Sequence, residues 1–400
     1  MGEELPASLA GRMIGHTGPG VPAEGFVEYA EWRDHHPARE SGHPVAAGDE
    51  CNIIYSSGTT GLPKGIVHSH ACRAAWAYDM ALALRYHGGA RTLCSLGLYS
   101  NITWVAMLAT FWCGGTIVVM PAFDVGEFLA TIEDERITHS AMVPVQFQRI
   151  FEHPAFGEHD LSSLHSLMCC GSPLHEALKQ RVYDEICGDF IELYGLTEGL
   201  VTTLQPEDAA LRMNSVGRPC PGQDIVILGS DDEVMPAGEP GEIVGYGRLL
   251  MAGYLNRDDA NEEATWTDAA GRRWLRTGDI GRLDEEGFLY LVDRKKDMIL
   301  SGAQNIYPAD IEAVAARHPA VADVAVIGVP SEKWGETPLA VVVRGEDADV
   351  EAEALAAWIN ERVGKQQRVA GVAFVDELPR NPNGKVLKRE LRKDYADTTL

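Results

Sequence analysis

The chain has 400 residues, 45% of them hydrophobic, and is therefore long enough to form two or more domains with substantial cores. Its formal net charge of −25 argues against nonspecific binding to nucleic acid or to an anionic membrane, because phosphate groups require a basic surface. The eight cysteines include no Cys-x-x-Cys pair, which argues against a zinc site or a disulfide framework, and the lack of a basic, then apolar leader after Met1 predicts a cytoplasmic protein.

The first half of the chain predicts strands that alternate with helices. Residues 1–50 indicate a strand near 13–14 and a short helix over 26–32. Beyond residue 50, short apolar strands alternate with amphipathic helices, a pattern typical of a largely parallel sheet with helices on both faces. We predict strands at 53–55, 66–67, 116–120, 140–143, 166–168 and 190–193, and helices after residue 69 and over 102–113, 124–135 and 174–186.

One uncharged segment, over residues 92–123, is long enough to raise the alternative of a membrane span. Gly114 and Gly115 divide it into a helix-length piece and a strand-length piece, and Pro121 follows. We therefore predict a buried helix packed on a buried strand.

The second half of the chain predicts two smaller regions. Short strands separated by Gly, Pro and Asp clusters over residues 216–292 indicate a β-rich subdomain, with strands at 224–228, 241–245, 274–275 and 288–292. Helices from 308 and over 352–363, with strands at 324–329, 339–343 and 372–375, then indicate a compact α+β domain. The prediction is an α/β protein with a large domain over 1–295 and a small α+β domain over 297–400.

The most informative motif lies between Tyr55 and Gly65 and reads Tyr-Ser-Ser-Gly-Thr-Thr-Gly-Leu-Pro-Lys-Gly. Hydroxyl side chains, exposed backbone N–H groups and the ammonium of Lys64 suit the binding of a polyanion, and the glycines permit close approach. The common nucleotide loop has Gly-Lys-Ser/Thr instead. A polar surface turn is the alternative, but the composition after a strand favours a phosphate-binding loop.

A second motif, Tyr194-Gly195-Leu196-Thr197-Glu198, follows the strand at 190–193. Ligands bind at the carboxyl ends of parallel strands, so we expect these side chains at the same edge as Lys64. Tyr194 could stack on a base, Thr197 could donate to a phosphate and Glu198 could hold Mg²⁺. Taken alone, a glutamate such as Glu198 is more often a solvated helix cap.

Three further stretches have both a functional and a structural interpretation. Asp279, in Leu-Arg-Thr-Gly-Asp, could accept both hydroxyls of a ribose or be a turn residue. The Asp-Arg-Lys-Lys-Asp stretch over 293–297 could be a solvated linker. Lys385 ends a proline-stiffened turn and could be an ordinary surface lysine.

Together the five stretches resemble the adenylate-forming, or AMP-binding, superfamily, in its acyl- and aryl-CoA synthetase branch, from about residue 51 to residue 391. The resemblance implies that ATP is bound by Ser56, Ser57, Gly58, Thr59, Thr60, Gly61, Lys64, Gly171, Ser172, Pro173, Tyr194, Gly195, Asp279 and Arg294. It implies catalytic roles for Thr197, Glu198 as the Mg²⁺ ligand, and Lys385, a hinge at Lys296, CoA contacts at Gly302 and Trp334, and an acyl pocket at Tyr99, Ser100, Trp104 and Leu200.

The function implied is an ATP-dependent acid:CoA ligase that makes an acyl-AMP and then a thioester, with Mg²⁺ and CoA and without nucleic acid or a membrane segment. The 297–400 domain would be a mobile lid that swings about Lys296. Alternatives are an adenylating domain that loads a carrier protein and a non-catalytic ATP-binding fragment. A homodimer is compatible with the resemblance.

The sequence departs from the family pattern in two respects. Family members usually carry an aromatic-histidine pair where this chain has Tyr99-Ser100, so the gate of the acyl pocket is altered. They also have a longer segment before the phosphate loop, so we expect the large domain to be shortened at its N-terminal side. The pocket residues are apolar or neutral and offer no carboxylate for an α-amine, which favours a fatty or aryl acid over an amino acid.

Overall fold

A computed structural model describes residues 13–15, 26–39, 42–56, 63–172, 174–301, 304–331, 333–345, 348–380, 384–396 and 398. Two compact units, over residues 1–46 and 47–400, are considered separately. The described helices are α1 (Tyr29–Asp34), α2 (His70–Ala83), α3 (Asn101–Cys113), α4 (Val125–Asp134), α5 (Pro144–Glu152), α6 (Glu176–Glu185), α7 (Pro206–Arg212), α8 (Asp258–Glu263), α9 (Pro308–Ala315), α10 (Ala352–Asn360) and α11 (Lys388–Asp394).

The described strands lie in five separate sheets. They are β1 (Met13–Gly15), β2 (Phe26–Glu28), β3 (Glu50–Ser56), β4 (Lys64–Ser69), β5 (Arg91–Cys94), β6 (Thr116–Val119), β7 (His139–Met142), β8 (Ser166–Cys169), β9 (Phe190–Gly195), β10 (Val201–Leu204), β11 (Arg218–Pro219), β12 (Gln223–Leu228), β13 (Gly241–Gly247), β14 (Gly253–Tyr254), β15 (Thr265–Thr267), β16 (Arg273–Leu283), β17 (Leu289–Arg294), β18 (Ile299–Ser301), β19 (Gln304–Ile306), β20 (Val321–Ser331), β21 (Gly335–Arg344) and β22 (Gly371–Val375).

The first unit corrects one sequence prediction. Strand β1 pairs with β2 in parallel, and helix α1 begins only at Tyr29. The helix predicted over residues 26–32 is therefore wrong in its first three residues. Their pairing with a distant strand overrides the local helical pattern, a signal that a short sequence window does not contain.

The predicted parallel sheet is confirmed as the centre of the second unit. Its seven strands have the order β11-β10-β9-β8-β7-β5-β6, and the five from β9 to β6 are parallel. Successive side chains of a strand point to opposite faces. In β8, Met168 packs with α2 and α3, whereas Leu167 and Cys169 pack with α4, α5 and α6. Helices thus cover both faces, as the alternating pattern predicts.

Strands β3 and β4 belong to a different sheet from the one that the sequence predicts. They form an antiparallel hairpin, extended by β14, in which Ser56 pairs with Lys64. The strands that flank the predicted phosphate loop are therefore antiparallel partners, and neither belongs to the parallel sheet. The expectation that Lys64 lies at the edge of the parallel sheet was wrong, because only pairing between strands distinguishes a hairpin from a β–α turn.

The β-rich region forms its own sheet, of order β12-β13-β16-β15, with β17 beside β16. Its core includes Leu200, Ile225, Ile243 and Leu289. Leu200, in the bend between β9 and β10, therefore packs into the core of this second sheet.

The last part of the chain has a five-stranded sheet of order β19-β18-β21-β20, with β22 parallel to β21. Helices α9 and α10 pack on one face and α11 packs on the other. Among the described residues, each hydrophobic cluster lies wholly before or wholly after Lys296. The domain boundaries stay predictions.

The uncharged segment over 92–123 folds as β5, α3 and β6, but the prediction of a buried strand is wrong, because β6 is an edge strand and is partly exposed. In the described part of the chain, none of the helices has the length and apolar character required to cross a membrane.

Candidate active site

Three predicted nucleotide-binding residues lie together at the end of β9. The hydroxyl of Tyr194 donates to Oδ2 of Asp279 at 2.8 Å, although 85 residues separate them. Asp279 pairs across the sheet with Arg294, whose Nε lies 3.4 Å from Oδ1 of the carboxylate. Burial raises the pKa of Tyr194 well above its ordinary value, and the charge of Asp279 raises it further. The phenol is therefore a stable donor that fixes the carboxylate.

The predicted phosphate- and metal-binding residues, Thr197 and Glu198, lie in the tight bend between β9 and β10. The backbone N–H of Leu196 donates to the carbonyl of Leu200, closing the bend. Gly199 has φ +124°, and a Cβ at this position would lie 2.1 Å from the carbonyl oxygen of Leu249. Only glycine fits there, because the bend packs directly against the backbone of Leu249 and Leu250.

Tyr254, which the sequence analysis missed, connects the phosphate-loop hairpin to this bend. Its hydroxyl donates to Oε1 of Glu198 at 2.9 Å, and Nζ of Lys64 lies 4.5 Å from its ring centroid. The position follows from strand pairing, because Tyr254 lies opposite Ile66. One ring thus contacts both the cation of the predicted phosphate loop and the predicted metal ligand.

Lys385 and Lys296 bring further positive charge to the same place. Burial lowers the pKa of Lys385 to about 8, Arg294 lowers it further, and Asp279 opposes the shift. Partial burial also lowers the pKa of Lys296, and the charges of Lys64 and Arg294 add to that effect. Four cations therefore converge in a chain of net charge −25, which produces the local field that a polyphosphate requires.

Lys385 is presented from the last part of the chain. Its neighbour Gly384 has φ +80°, and a Cβ there would lie 3.1 Å from the side chain of Val145, at the start of α5. A second contact joins the same two regions, because Oδ2 of Asp293 accepts a hydrogen bond from the N–H of Ala309 at 2.9 Å. The last domain is therefore docked with its lysine facing the Asp279–Arg294 pair.

Several predicted residues fall outside the described residues: Ser57, Gly58, Thr59, Thr60, Gly61, Pro173 and Gly302. Ser56 closes the hairpin by pairing with Lys64. Gly195 ends β9. Gly171 has φ +97° and lies close to Ile102 and Val143, and Ser172 follows it. The predicted ATP-binding segment that starts at Gly171 therefore begins beside the first turn of α3.

A buried polar network of His68 and Arg73 contacts the bend between β9 and β10, and the sequence did not predict it. The ring of His68 is fully buried, and its Nε2 lies 2.8 Å from the carbonyl oxygen of Thr197. Arg73 donates to the Nδ1 of this ring at 3.1 Å. Burial lowers the pKa of His68 to about 4, and Arg73 adds to the shift. The imidazole is therefore neutral near pH 7, and because Arg73 always donates, the proton is on Nε2 and faces Thr197.

An open cleft of about 270 Å³ lies beside the hairpin and includes two of the predicted acyl-pocket residues. Its lining residues are Asn52, Ile53, Ile54, Tyr55, Leu98, Tyr99 and Trp104. Ser100 is buried and caps α3 by accepting from the N–H of Ile102 at 3.3 Å. Leu200 lies elsewhere, in the core of the β-rich sheet. The structure therefore brings Tyr99 and Trp104 together but not Leu200.

The predicted CoA-contacting segments are neighbours in the last sheet. Ser301, directly before Gly302, pairs with Gly335, directly after Trp334. Trp334 is about half exposed, and Nζ of Lys333 lies 4.7 Å from its ring centroid. An exposed indole beside an ammonium group can contact a phosphorylated nucleotide.

A divalent metal fits this arrangement only with help from a substrate. The part of the chain that is described contains no group of three or more His, Cys, Asp or Glu side chains that could hold an ion. Glu198 supplies one carboxylate, oriented by Tyr254, next to the predicted phosphate site. Mg²⁺ is typically held by one or two carboxylates together with substrate phosphates, so the residues present suit Mg²⁺.

Comparison with known families gives two matches. Residues 12–255 match the model of the AMP-binding enzyme family, and residues 310–385 match the model of the AMP-binding enzyme C-terminal domain. Together the two matches cover most of the chain, and the second one includes Lys385.

Among similar proteins, a feruloyl-CoA synthase from Amycolatopsis sp is 36% identical over 88% of this chain and 71% of its own length. The long-chain-fatty-acid–CoA ligase FadD13 of Mycobacterium tuberculosis is 36% identical over 90% of this chain and 70% of its own. A solved structure of o-succinylbenzoate CoA synthetase from Bacillus subtilis, in complex with its acyl-adenylate intermediate, has a TM-score of 0.80. It is 32% identical and the match covers 92% of this chain and 74% of that one.

Proposed function

This chain belongs to the AMP-binding enzyme family, and on that premise we propose that it is an ATP-dependent acid:CoA ligase acting on an aryl or fatty acid through an acyl-AMP. The observation that carries the proposal is the convergence of Tyr194, Asp279, Arg294 and Lys385. An aromatic ring, a carboxylate for a ribose and a lysine for a phosphate meet there. The proposal also includes Mg²⁺ as the metal that the reaction requires and a homodimer as the oligomeric state of the enzyme.

In the first step a carboxylate oxygen of the acid attacks the α-phosphorus of ATP, and the bond to pyrophosphate breaks. Both reactants are anions, so the ammonium of Lys385 offsets the charge that develops at the phosphorus, and Thr197 donates to the same phosphate. Glu198 would hold Mg²⁺, which shields the phosphate charge when bound. Asp279 and Arg294 hold the ribose, and Tyr194 stacks on the base.

In the second step the thiol of CoA attacks the acyl carbon, AMP leaves and the thiol proton passes to solvent. Lys385 has no part in this step, so the last domain rotates about Lys296 and withdraws it. The rotation presents the neighbouring segments around Gly302 and Trp334 to the same site. One bound acyl-AMP therefore serves both half-reactions.

The cleft beside Tyr99 and Trp104 indicates the acyl class. Its described lining contains three aromatic rings, three aliphatic side chains and one amide, and none of those residues is a carboxylate that could hold an α-amine. A volume of about 270 Å³ suits an aryl acid or a short fatty acid better than a long chain. We therefore place aryl acids first, consistent with the similarity to a feruloyl-CoA synthase.

The test is AMP release with ATP and Mg²⁺ across matched acids, with an arylpropenoic acid, an alkanoic acid of similar size and an α-amino acid compared. We expect turnover that requires CoA and ranks the aryl acid first. Turnover without CoA, or only with a pantetheinylated carrier protein, would instead identify a carrier-loading enzyme. If the protein binds ATP but releases pyrophosphate with none of the acids, the proposal that it is an enzyme is rejected.

A further inference from the structure

Arg73 is a buried cation that no described carboxylate pairs with. It is 3% exposed, and none of the ion pairs among the described residues includes it. Burial lowers its pKa to about 10, so it remains charged at neutral pH. An unpaired buried charge destabilises a fold, and in a chain with 59 acidic residues a carboxylate partner is readily available. The absence of such a partner suggests that the charge serves the site.

The guanidinium group connects three different elements. Its Nε donates to Oδ1 of Asn52 on β3 at 2.7 Å, and one terminal nitrogen donates to Oδ1 of Asn101 on α3 at 2.9 Å. The other terminal nitrogen donates to Nδ1 of His68 on β4 at 3.1 Å. Its carbon also lies 5.2 Å from the ring centroid of Trp104. These elements carry the phosphate-loop hairpin and the acyl cleft.

The contact with His68 extends this connection to the catalytic bend. Because Arg73 occupies Nδ1, the ring proton stays on Nε2 and donates to the carbonyl of Thr197. His68 and Thr197 are 129 residues apart, so this hydrogen bond joins β4 to the bend that carries Thr197 and Glu198. Without Arg73, the buried ring could adopt either tautomer and rotate.

We propose that Arg73 is a positioning residue for adenylation, which orients His68 so that the Thr197–Glu198 bend is fixed relative to the phosphate-loop hairpin and the acyl cleft. The inference rests on the proposed function. Arginine is required because its planar fork donates in three fixed directions at once, whereas lysine is a single point charge. His68 is likewise a positioning residue that acts through Thr197.

The experiment measures ATP–pyrophosphate exchange, which reports adenylation, in Arg73→Met, Arg73→Lys, His68→Leu, His68→Gln and the Arg73→Met/His68→Leu double variant. The control is Arg85→Met, which removes an arginine just beyond the far end of α2 that pairs with Asp189 and Glu207. Thermal unfolding is recorded for each, so that rates are compared only where the protein is folded.

We expect Arg73→Met and His68→Leu each to lower the maximal exchange rate by about 10²-fold with little change in the KM for ATP, as for a misplaced reactive group. The double variant should lose no more than either single one, because both break one connection. Arg73→Lys should stay slow, whereas His68→Gln, whose amide can still donate to Thr197, should recover much of the rate. Arg85→Met should keep wild-type exchange.

Wild-type exchange in Arg73→Met, full activity in Arg73→Lys, or additive losses in the double variant would each overturn the proposal. If Arg73→Met does not fold, the comparison of His68→Leu with His68→Gln decides: equal rates reject the positioning role, and recovery in His68→Gln supports it. Failure of the proposed function is seen separately, as a wild-type protein that exchanges pyrophosphate with no acid.

Discussion

At the residue scale, the lowered pKa of Lys385 has a direct kinetic consequence. In the proposed mechanism the ammonium group must be protonated to offset charge on the α-phosphate, and burial lowers its pKa to about 8. Below that pH the lysine is charged, and above it the lysine is neutral. We expect kcat/KM for adenylation to fall as the pH rises through about 8, because this parameter reports ionisation of the free enzyme.

The control for this pH profile is Lys385→Arg, since a guanidinium keeps its proton throughout the range. The variant should be slower but should lose the decline near pH 8. Thioester formation from supplied acyl-AMP should lack that decline in both proteins. A decline that persists unchanged in Lys385→Arg would assign it to another group.

At the element scale, helix α6 and strand β9 are joined under the active site by a buried ion pair between Lys179 and Glu192. The two side chains are 3% and 8% exposed, and burial raises the pKa of Glu192 while Lys179 opposes the shift. Lys179→Met would leave a carboxylate buried alone, two residues before Tyr194. We expect the free energy of unfolding in urea to fall by about 3–5 kcal/mol.

A matched control lies on the same helix, because the exposed pair between Arg181 and Glu185 has similar chemistry without burial. Arg181→Met should leave the unfolding free energy nearly unchanged, since water solvates both charges. Adding Glu192→Met to Lys179→Met should restore stability. Equal effects of Lys179→Met and Arg181→Met would contradict the role assigned to burial.

At the scale of the whole molecule, the position of Lys385 makes the two half-reactions separable. The lysine faces Asp279 and Arg294 in the arrangement seen here, which suits adenylation. Losing a transition-state donor of this kind slows a reaction by roughly 10²–10³-fold. We expect Lys385→Ala to slow acyl-AMP formation by that order and to leave thioester formation from supplied acyl-AMP nearly intact. Equal impairment of both steps would contradict the two-position mechanism.

Much of the fold could be predicted because local pattern and tertiary packing agree. The helix at Asn101–Cys113 and the strand at Thr116–Val119 lie where the break at Gly114 and Gly115 indicates. The hairpin of β3 and β4 could not be predicted, because the sequence of each strand does not show which other strand it pairs with. Pairing with β1 likewise displaced the start of α1.

The candidate site was predictable where function resides in a motif. Tyr194, Asp279 and Lys385 each belong to a recognisable stretch, and the structure brings them together. Tyr254 and the His68–Arg73 pair were not predictable, because their roles arise from contacts between distant parts of the sequence. Tyr254 is 56 positions from Glu198, and His68 is 129 positions from Thr197. The sequence signal that could have directed attention to α2 is an arginine placed among small and apolar residues at the start of the predicted helix.

The separation of the hydrophobic clusters at Lys296 indicates which solution conditions would control movement of the proposed lid. Among the described residues, the interactions that cross this point include the hydrogen bond between Asp293 and Ala309, the electrostatic interactions of Lys385 with Asp279 and Arg294, and the approach of Gly384 to Val145. Breaking them uncovers little apolar surface, so the heat capacities of the two lid positions should be nearly equal. The enthalpy difference between them should accordingly be nearly constant with temperature, and their populations should respond strongly to ionic strength. Departure of the anionic pyrophosphate is itself a change in the charge that would hold the proposed lid.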